Sequence, residues 1–286
     1  MQVLIFFVMS FSFSVGMFAA GDILPPLESK QALGEAEQLM TDLMFYEALI
    51  ALEPLLMHQD PRPEQEQALW MAHTLGLEVA EALTAEYDAL RPKMDAPQPP
   101  DANVFSPVLE KIKVLNRFGA EIHYIEIGGA FHYHCGFLER LVKLYPESRL
   151  APIAEYYLIH KNISLAALDV QKTLRELLAY VKTYANTGYF EVSLAHYDIA
   201  RLYHGMWALL AYPELDPGVE ADYRSGDAAK DKAFAAVCKA EALKFYAKFI
   251  ISDYQETRWR SPRVARRAYQ DLKREENVDG YFLYYD

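Results

Sequence analysis

The sequence predicts an all-α chain of stacked helical hairpins interrupted by one small β-hairpin. Three observations predict it. Apolar residues recur at steps of three and four along most of the chain beyond residue 21. One segment, 121–134, is instead rich in β-formers around Gly128-Gly129. Helical hairpins of this size cannot bury their apolar faces alone, so consecutive pairs must lean on one another. The 286 residues are 52% hydrophobic and 13% aromatic, ample for a packed core and unlike a disordered chain. A formal net charge of −12 argues against nucleic acid as the main partner, because backbone phosphates demand a basic surface. Two cysteines cannot build a disulfide scaffold.

The elements follow in order. Val3 to Ala20 is apolar and uncharged, and Ala19-Ala20 precedes Gly21-Asp22. Residues 1–20 are therefore expected to be a signal peptide cleaved near Ala20, which makes the mature chain periplasmic or extracellular. No Lys or Arg precedes the run and Phe18 is bulky for a signal peptidase, so an uncleaved N-terminal membrane anchor or a buried helix stays open. The run has no cysteine, which excludes lipid attachment there. Residues 21–90 are expected to hold N-terminal helical repeats. Ala32 to Leu56 carries the helical spacing with Pro54 near its end, Asp60-Pro61-Arg62-Pro63 is a turn, and Glu64 to Leu90 is the next helix. Residues 91–107 hold Pro92, Pro97, Pro99, Pro100 and Pro107 and form a proline-rich linker.

Residues 108–286 are expected to contain the β-hairpin and the C-terminal helical repeats. A two-residue loop at Gly128-Gly129 pairs Ile127 with Ala130, Ile125 with His132 and His123 with His134. One hairpin face then carries His123, Ile125, Ile127, Ala130, His132 and His134. The other carries Ile122, Tyr124, Glu126, Phe131, Tyr133 and Cys135. Helices are predicted over Phe137–Tyr145, Ala151–Leu165, Val170–Tyr184, Phe190–Leu210 and Ala228–Tyr254, with a loop from Pro213 to Asp227. The last helix has Ser261 as N-cap, Pro262 at its first position, and Val264, Ala265, Ala268 and Leu272 as its apolar stripe. The aromatic tail Tyr281–Tyr285 is expected to cap the last helical pair.

Three helix ends look alike: Leu141–Ser148 before Ala151 and Ala154, Leu209–Glu214, and Phe249–Thr257 before Ala265 and Ala268. Each is a helix ending at an aromatic, then a turn residue; in the first and third, small residues follow where two helices approach closely. On the residues Leu144-Tyr145-Pro146-Glu147-Ser148 with Ala151 and Ala154, Ala242-Leu243, Phe245-Tyr246 with Tyr254, Ala265 and Ala268, and Phe45-Tyr46-Glu47-Ala48-Leu49 with Leu55-Leu56, the chain resembles the tetratricopeptide-repeat (TPR-like) superfamily. The likeness is to its degenerate exported members, such as outer-membrane assembly lipoproteins and cell-division coordinators. The chain departs from them in its irregular period, its inserted hairpin and its lack of a lipid-attachment cysteine. The resemblance implies a solenoid with a concave peptide-binding groove, no catalysis and no cofactor.

Candidate sites are few. Tyr156, Tyr157, Tyr197, Tyr203 and Trp207, with Tyr180 and Tyr184, are expected to offer an aromatic inner face to a protein or peptide partner, because such rings give large contact area with few rotatable bonds. Each singly also suits a core position. Residues 21–100 carry a net −11 and residues 258–274 a net +6. Arg263, Arg267 and Arg274 share one face of the last helix, which suits anionic lipid headgroups or an acidic partner as well as plain solvation. His123, His132 and His134 on one hairpin face have the composition of a three-histidine metal site, the alternative being a metal-binding or metal-dependent function. The same pattern arises from an amphipathic hairpin with a polar outer face. Cys135 and Cys238 are open to three readings: one disulfide, two buried thiols, or a reactive Cys135 at a helix mouth. His196 and His204 lie too far apart for shared ligation. Phosphate loops, dinucleotide loops, nucleophile elbows and His-Glu-x-x-His motifs are absent from the sequence.

Overall fold

The computed structural model describes residues 26–58, 61–90, 102–126, 129–164, 169–212, 225–252 and 261–278. Among them the chain forms eleven α-helices and one two-stranded sheet. The helices are α1 (Pro26–Thr41), α2 (Phe45–Ala51), α3 (Glu53–Leu56), α4 (Pro63–Leu90), α5 (Ser106–Arg117), α6 (Gly136–Leu144), α7 (Ala151–Ser164), α8 (Val170–Tyr184), α9 (Phe190–Ala211), α10 (Ala228–Ile250) and α11 (Pro262–Arg274). Strands β1 (Ile122–Ile125) and β2 (Ala130–Tyr133) lie between α5 and α6. The expected mostly helical class, with one small hairpin, is what the chain adopts. The signal segment 1–20, the tail 281–286 and most of the proline-rich 91–107 lie outside the described residues. Among the described residues no helix is long and apolar enough to cross a membrane.

Local chemistry explains most helix ends. Asp169 caps α8 by accepting from the Lys172 N–H at 2.8 Å, and Asp227 caps α10 by accepting from Ala229 and Lys230. Ser261 caps α11 by accepting from the Val264 N–H at 3.2 Å, with Pro262 in the first turn, as the sequence predicts. The expected single run from Ala32 to Leu56 is corrected. It breaks at Leu43, whose φ is +59°, where Met44 N–H bonds the Leu39 carbonyl and Leu43 N–H bonds that of Met40. This is the two-bond αL closure that usually uses glycine, so a leucine there carries no sequence signal. Pro54 sits in the first turn of α3, where its missing N–H costs nothing.

The hairpin register is also corrected. Ile125 faces Ala130, Tyr124 faces Phe131, His123 faces His132 and Ile122 faces Tyr133. Gly129 N–H bonds the Glu126 carbonyl at 3.2 Å, and the pairing is displaced by two residues from the expected one. A two-residue shift preserves the side-chain alternation, so the predicted faces survive. Ile122, Phe131 and Tyr133 are buried against α4, while the face carrying His123 points away. Gly76 permits this packing: a Cβ there would stand 2.9 Å from the Tyr133 ring.

The core has two parts. One gathers α1–α6 and the hairpin, and includes elements from both sides of the proline-rich segment, such as Leu69, Leu115 and Phe137. The other gathers α7–α11 around α9, which buries Tyr197, Leu202, Met206 and Trp207. They meet at α7: Ala154 belongs to the first, Tyr156 to the second, and Tyr157 touches both. A polar strut ties the first part together. The Tyr145 hydroxyl accepts from Arg62 N–H at 2.6 Å and lies 2.8 Å from Gln65 Oε1. Gln65 Nε2 donates to the Leu55 and His58 carbonyls, and Arg140 donates to the carbonyls of Phe118, Leu56 and His58.

Buried imidazoles make this core sensitive to acid. His73 packs among the rings of Trp70, Tyr133 and Tyr157, and burial pushes its pKa from 6.5 down to about 4. Burial pushes His204 to about 3, with Asp271 pulling weakly the other way. A base with a depressed folded pKa binds more protons when unfolded, so its contribution to stability rises with pH across the window from that pKa to 6.5. Stability is therefore expected to fall as pH drops below about 6.5, by about 1 kcal/mol per pH unit for each imidazole around pH 5. Urea midpoints at pH 7.5 and pH 5.0 check this. His73→Leu should flatten the dependence, and equal slopes in the two proteins would contradict the assignment.

Candidate binding site

An open groove of about 470 Å³ runs between α7 and α8. It is lined by the apolar Leu158, Ile159 and Ala179 and by Glu139, Glu155, Lys161, Glu176, Thr183, Tyr180 and Tyr184. Lys161 Nζ donates to Glu139 Oε1 at 2.5 Å and to the His134 carbonyl at 3.0 Å, which neutralises one carboxylate at the rim. The Tyr184 hydroxyl donates to Glu155 Oε2 at 2.8 Å. The Tyr180 and Tyr184 rings sit 4.9 Å apart, one turn apart on α8. Tyr180 is 3% exposed, and its buried hydroxyl has no hydrogen-bond partner among the described residues. Burial pushes this phenol well up, with Glu191, Tyr184 and Glu155 adding in the same direction. Burial and the bond to Glu155 push Tyr184 up to about 12. Burial also raises the Glu191 carboxyl. Among the described lining residues the groove offers carboxylate acceptors and the part-buried Tyr184 ring, with Lys161 already bonded to Glu139.

Behind the groove lies a buried polar node. Asp198 Oδ2 on α9 accepts from the Tyr156 hydroxyl at 2.7 Å and stands 3.0 Å from His160 Nδ1. Tyr156 and His160 are one turn apart on α7 and stack at 5.6 Å with their planes 11° apart. The node joins α7 to α9. The i, i+4 spacing of Tyr156 and His160 was the one sequence signal available for it; nothing local announces Asp198, some forty residues away.

The aromatic inner face is corrected. Tyr156, Tyr180, Tyr197 and Trp207 are buried, packed by neighbouring helices rather than open to a partner. Tyr197 lies 5.1 Å from Phe249, and Trp207 lies 5.6 Å from His204. Tyr157 and Tyr203 are partly buried against the same cores. Of the seven aromatics only Tyr184 and Tyr180 reach the groove. Sequence reasoning missed Glu155 and Glu176, because no local pattern brings residue 155 to residue 184.

The hairpin histidines are brought together only in part. His123 and His132 pair across the strands, and the rings of His123 and His134 stand 5.1 Å apart, edge to face. Among the described residues no group of three His, Cys, Asp or Glu side chains is placed to hold a metal ion. Burial, reinforced by His123, Lys161 and His132, lowers the His134 pKa. The disulfide reading is corrected: Cys135 and Cys238 are both free and buried, one in each part of the core. The reactive-thiol reading is corrected too. Cys135 does stand at the N-cap of α6, yet burial pushes it up to about 11, and Cys238 to about 12.

Arg263 and Arg267 are exposed on α11 as expected, Arg267 lying 3.8 Å from Asp271. Val264, assigned to the apolar stripe, is exposed instead; Ala265, Ala268, Asp271 and Leu272 make the buried face. Comparison of the chain with known protein families, with curated proteins and with solved structures finds no match.

Proposed function

We propose that this chain is a non-enzymatic, exported scaffold of TPR-like kind that holds a protein or peptide partner in the cell envelope. The observation that carries the reading is the order of packing. From α6 onward each helix packs on its neighbour in sequence, and α7 also packs on α9, the second neighbour. Repeated helix pairs stacked in chain order have this contact pattern. The small residues of the resemblance support it: Ala151 and Ala154 are buried at the start of α7, and Ala265 and Ala268 in α11. Such a stack leaves an open groove between successive helices, and the α7/α8 groove is one.

Two measurements test this. A fusion of the full chain to alkaline phosphatase, active only outside the cytoplasm, is expected to be active. A photo-crosslinking residue placed at Thr183, on the groove wall, is expected to yield one discrete protein adduct in cells. An inactive fusion overturns export, and the absence of adducts from every exposed groove position overturns the scaffold.

A further inference from the structure

We infer that the basic outer face of α11 docks on the acidic outer face of α1 in a second copy of this chain, joining copies head to tail. The inference stands apart from the α7/α8 groove and from the partner proposed for it. Arg263, Arg266, Arg267, Gln270, Lys273 and Arg274 are all exposed, and their spacing gathers them within about a third of the helix circumference, opposite the buried Ala265, Ala268 and Leu272. Arg267 and Arg274 keep only loose ion pairs, 3.8 Å from Asp271 and 3.7 Å from Glu276, and their side chains stay 77% and 64% exposed. On α1 the exposed Glu28, Gln31, Glu35, Gln38 and Asp42 recur at steps of three and four and form a matching stripe, opposite the buried Leu33 and Ala36. Asp42 continues the helical spacing through its N–H bond to the Gln38 carbonyl. The one base of α1, Lys30, lies off this stripe.

A terminal helix of a stack needs a polar outer face for solubility, and mixed charges would supply it. Here each end carries a single sign, and the two signs are opposite. Within one chain the two faces belong to different parts of the core: α1 packs on α2, α3 and α4, and α11 packs on α10. The complement of α11 therefore comes from another copy. An antiparallel crossing sets Arg263 and Arg267 at Asp42, Gln270 at Glu35 and Arg274 at Glu28. It also opposes the two helix dipoles and brings the exposed Val264 beside the exposed Leu43. One helix face on another is a small interface, so the contact is weak and salt-sensitive. The two faces differ, so the contact is heterologous and extends beyond two copies.

The test uses the full chain and two variants, each with one face neutralised: Arg263→Gln/Arg267→Gln/Arg274→Gln and Glu28→Gln/Glu35→Gln/Asp42→Asn. All six positions are exposed, so both variants should keep the Tm of the parent. Sedimentation velocity is expected to show the parent associating at about 50 mM salt, with an association constant at least tenfold lower at about 500 mM. Each variant alone is expected to sediment as a monomer. Their equimolar mixture should form a one-to-one complex and nothing larger, because each supplies the face that the other lacks. A mixture that stays monomeric overturns the inference. So does association of the parent that persists at high salt and in both variants, which would belong to an apolar surface such as segment 1–20. Flotation of a monomeric parent with phosphatidylglycerol vesicles, abolished in the arginine variant, would assign α11 to anionic lipid and likewise overturn it.

Discussion

Asp198→Ala is expected to destabilise the protein by about 3 kcal/mol, the sum of an orphaned buried hydroxyl and a broken polar contact. The carboxyl group is 2% exposed, and the Tyr156 phenol it accepts from is fully buried. Truncation removes the acceptor 2.7 Å from the Tyr156 hydroxyl and the carboxylate 3.0 Å from His160 Nδ1. The small cavity adds to the loss. Asp198→Asn keeps an acceptor oxygen and should cost about half as much. Tyr156→Phe removes the donor alone and should cost about 1 kcal/mol. The double variant Asp198→Ala/Tyr156→Phe should cost clearly less than the two single losses combined, because the second change removes the group that the first orphaned. Urea unfolding monitored by tryptophan fluorescence reads all four. Strict additivity would show that the 2.7 Å contact is not energetically coupled.

Gly136→Ala is expected to be at least as severe, about 3 kcal/mol or more, through overpacking rather than cavity formation. A Cβ at Gly136 would fall inside van der Waals contact of the Gly119 carbonyl oxygen, and 3.0 Å from Cγ and Cδ of Glu121. A backbone carbonyl cannot rotate aside as a side chain can. The corner is already tight: Gly119, Glu121 and Cys135 all have positive φ, at +95°, +55° and +62°. Asn116 closes it by donating to the Ile122 carbonyl at 2.9 Å and accepting from the Ile122 N–H at 2.7 Å. Relief would have to move β1 or the start of α6, and with them Phe137 and Leu138 in the core. Gly34→Ala is the matched control. A Cβ there meets nothing within 4 Å, in the interior of α1. It should stabilise the protein by about 0.5–1 kcal/mol through helix propensity. Opposite signs for one substitution, measured by thermal melting, is the expected result; destabilisation by both would contradict it.

The helices were legible where their signals are local. α8 occupies the predicted Val170–Tyr184, and the Ser261-Pro262 start of α11 is where its cap chemistry puts it. Leu43 shows the limit: the break before α2 uses αL geometry at a residue type that rarely adopts it, held by backbone bonds to Leu39 and Met40. The hairpin shows a subtler one. Its faces follow from alternation and were correct, whereas its register depends on how the turn closes, and a glycine pair does not specify that uniquely. The candidate site was barely legible. Tyr184 was among the aromatics singled out, yet Tyr156, Tyr180, Tyr197 and Trp207 were singled out on the same grounds and are core. Nothing in a list of tyrosines tells which rings a neighbouring helix will cover.

From the chain alone come the helical class, the existence and faces of the hairpin, and the caps, because periodicity and hydrogen bonds to neighbouring residues are properties of a few consecutive positions. The packing of helices decided the rest: that α7 serves two cores, that Asp198 meets Tyr156, that Cys135 and Cys238 stay apart, and that Glu155 and Tyr184 wall a groove. Those pairings join residues tens of positions apart, and their choice follows from which apolar faces cover one another, a competition settled only when the whole chain is folded.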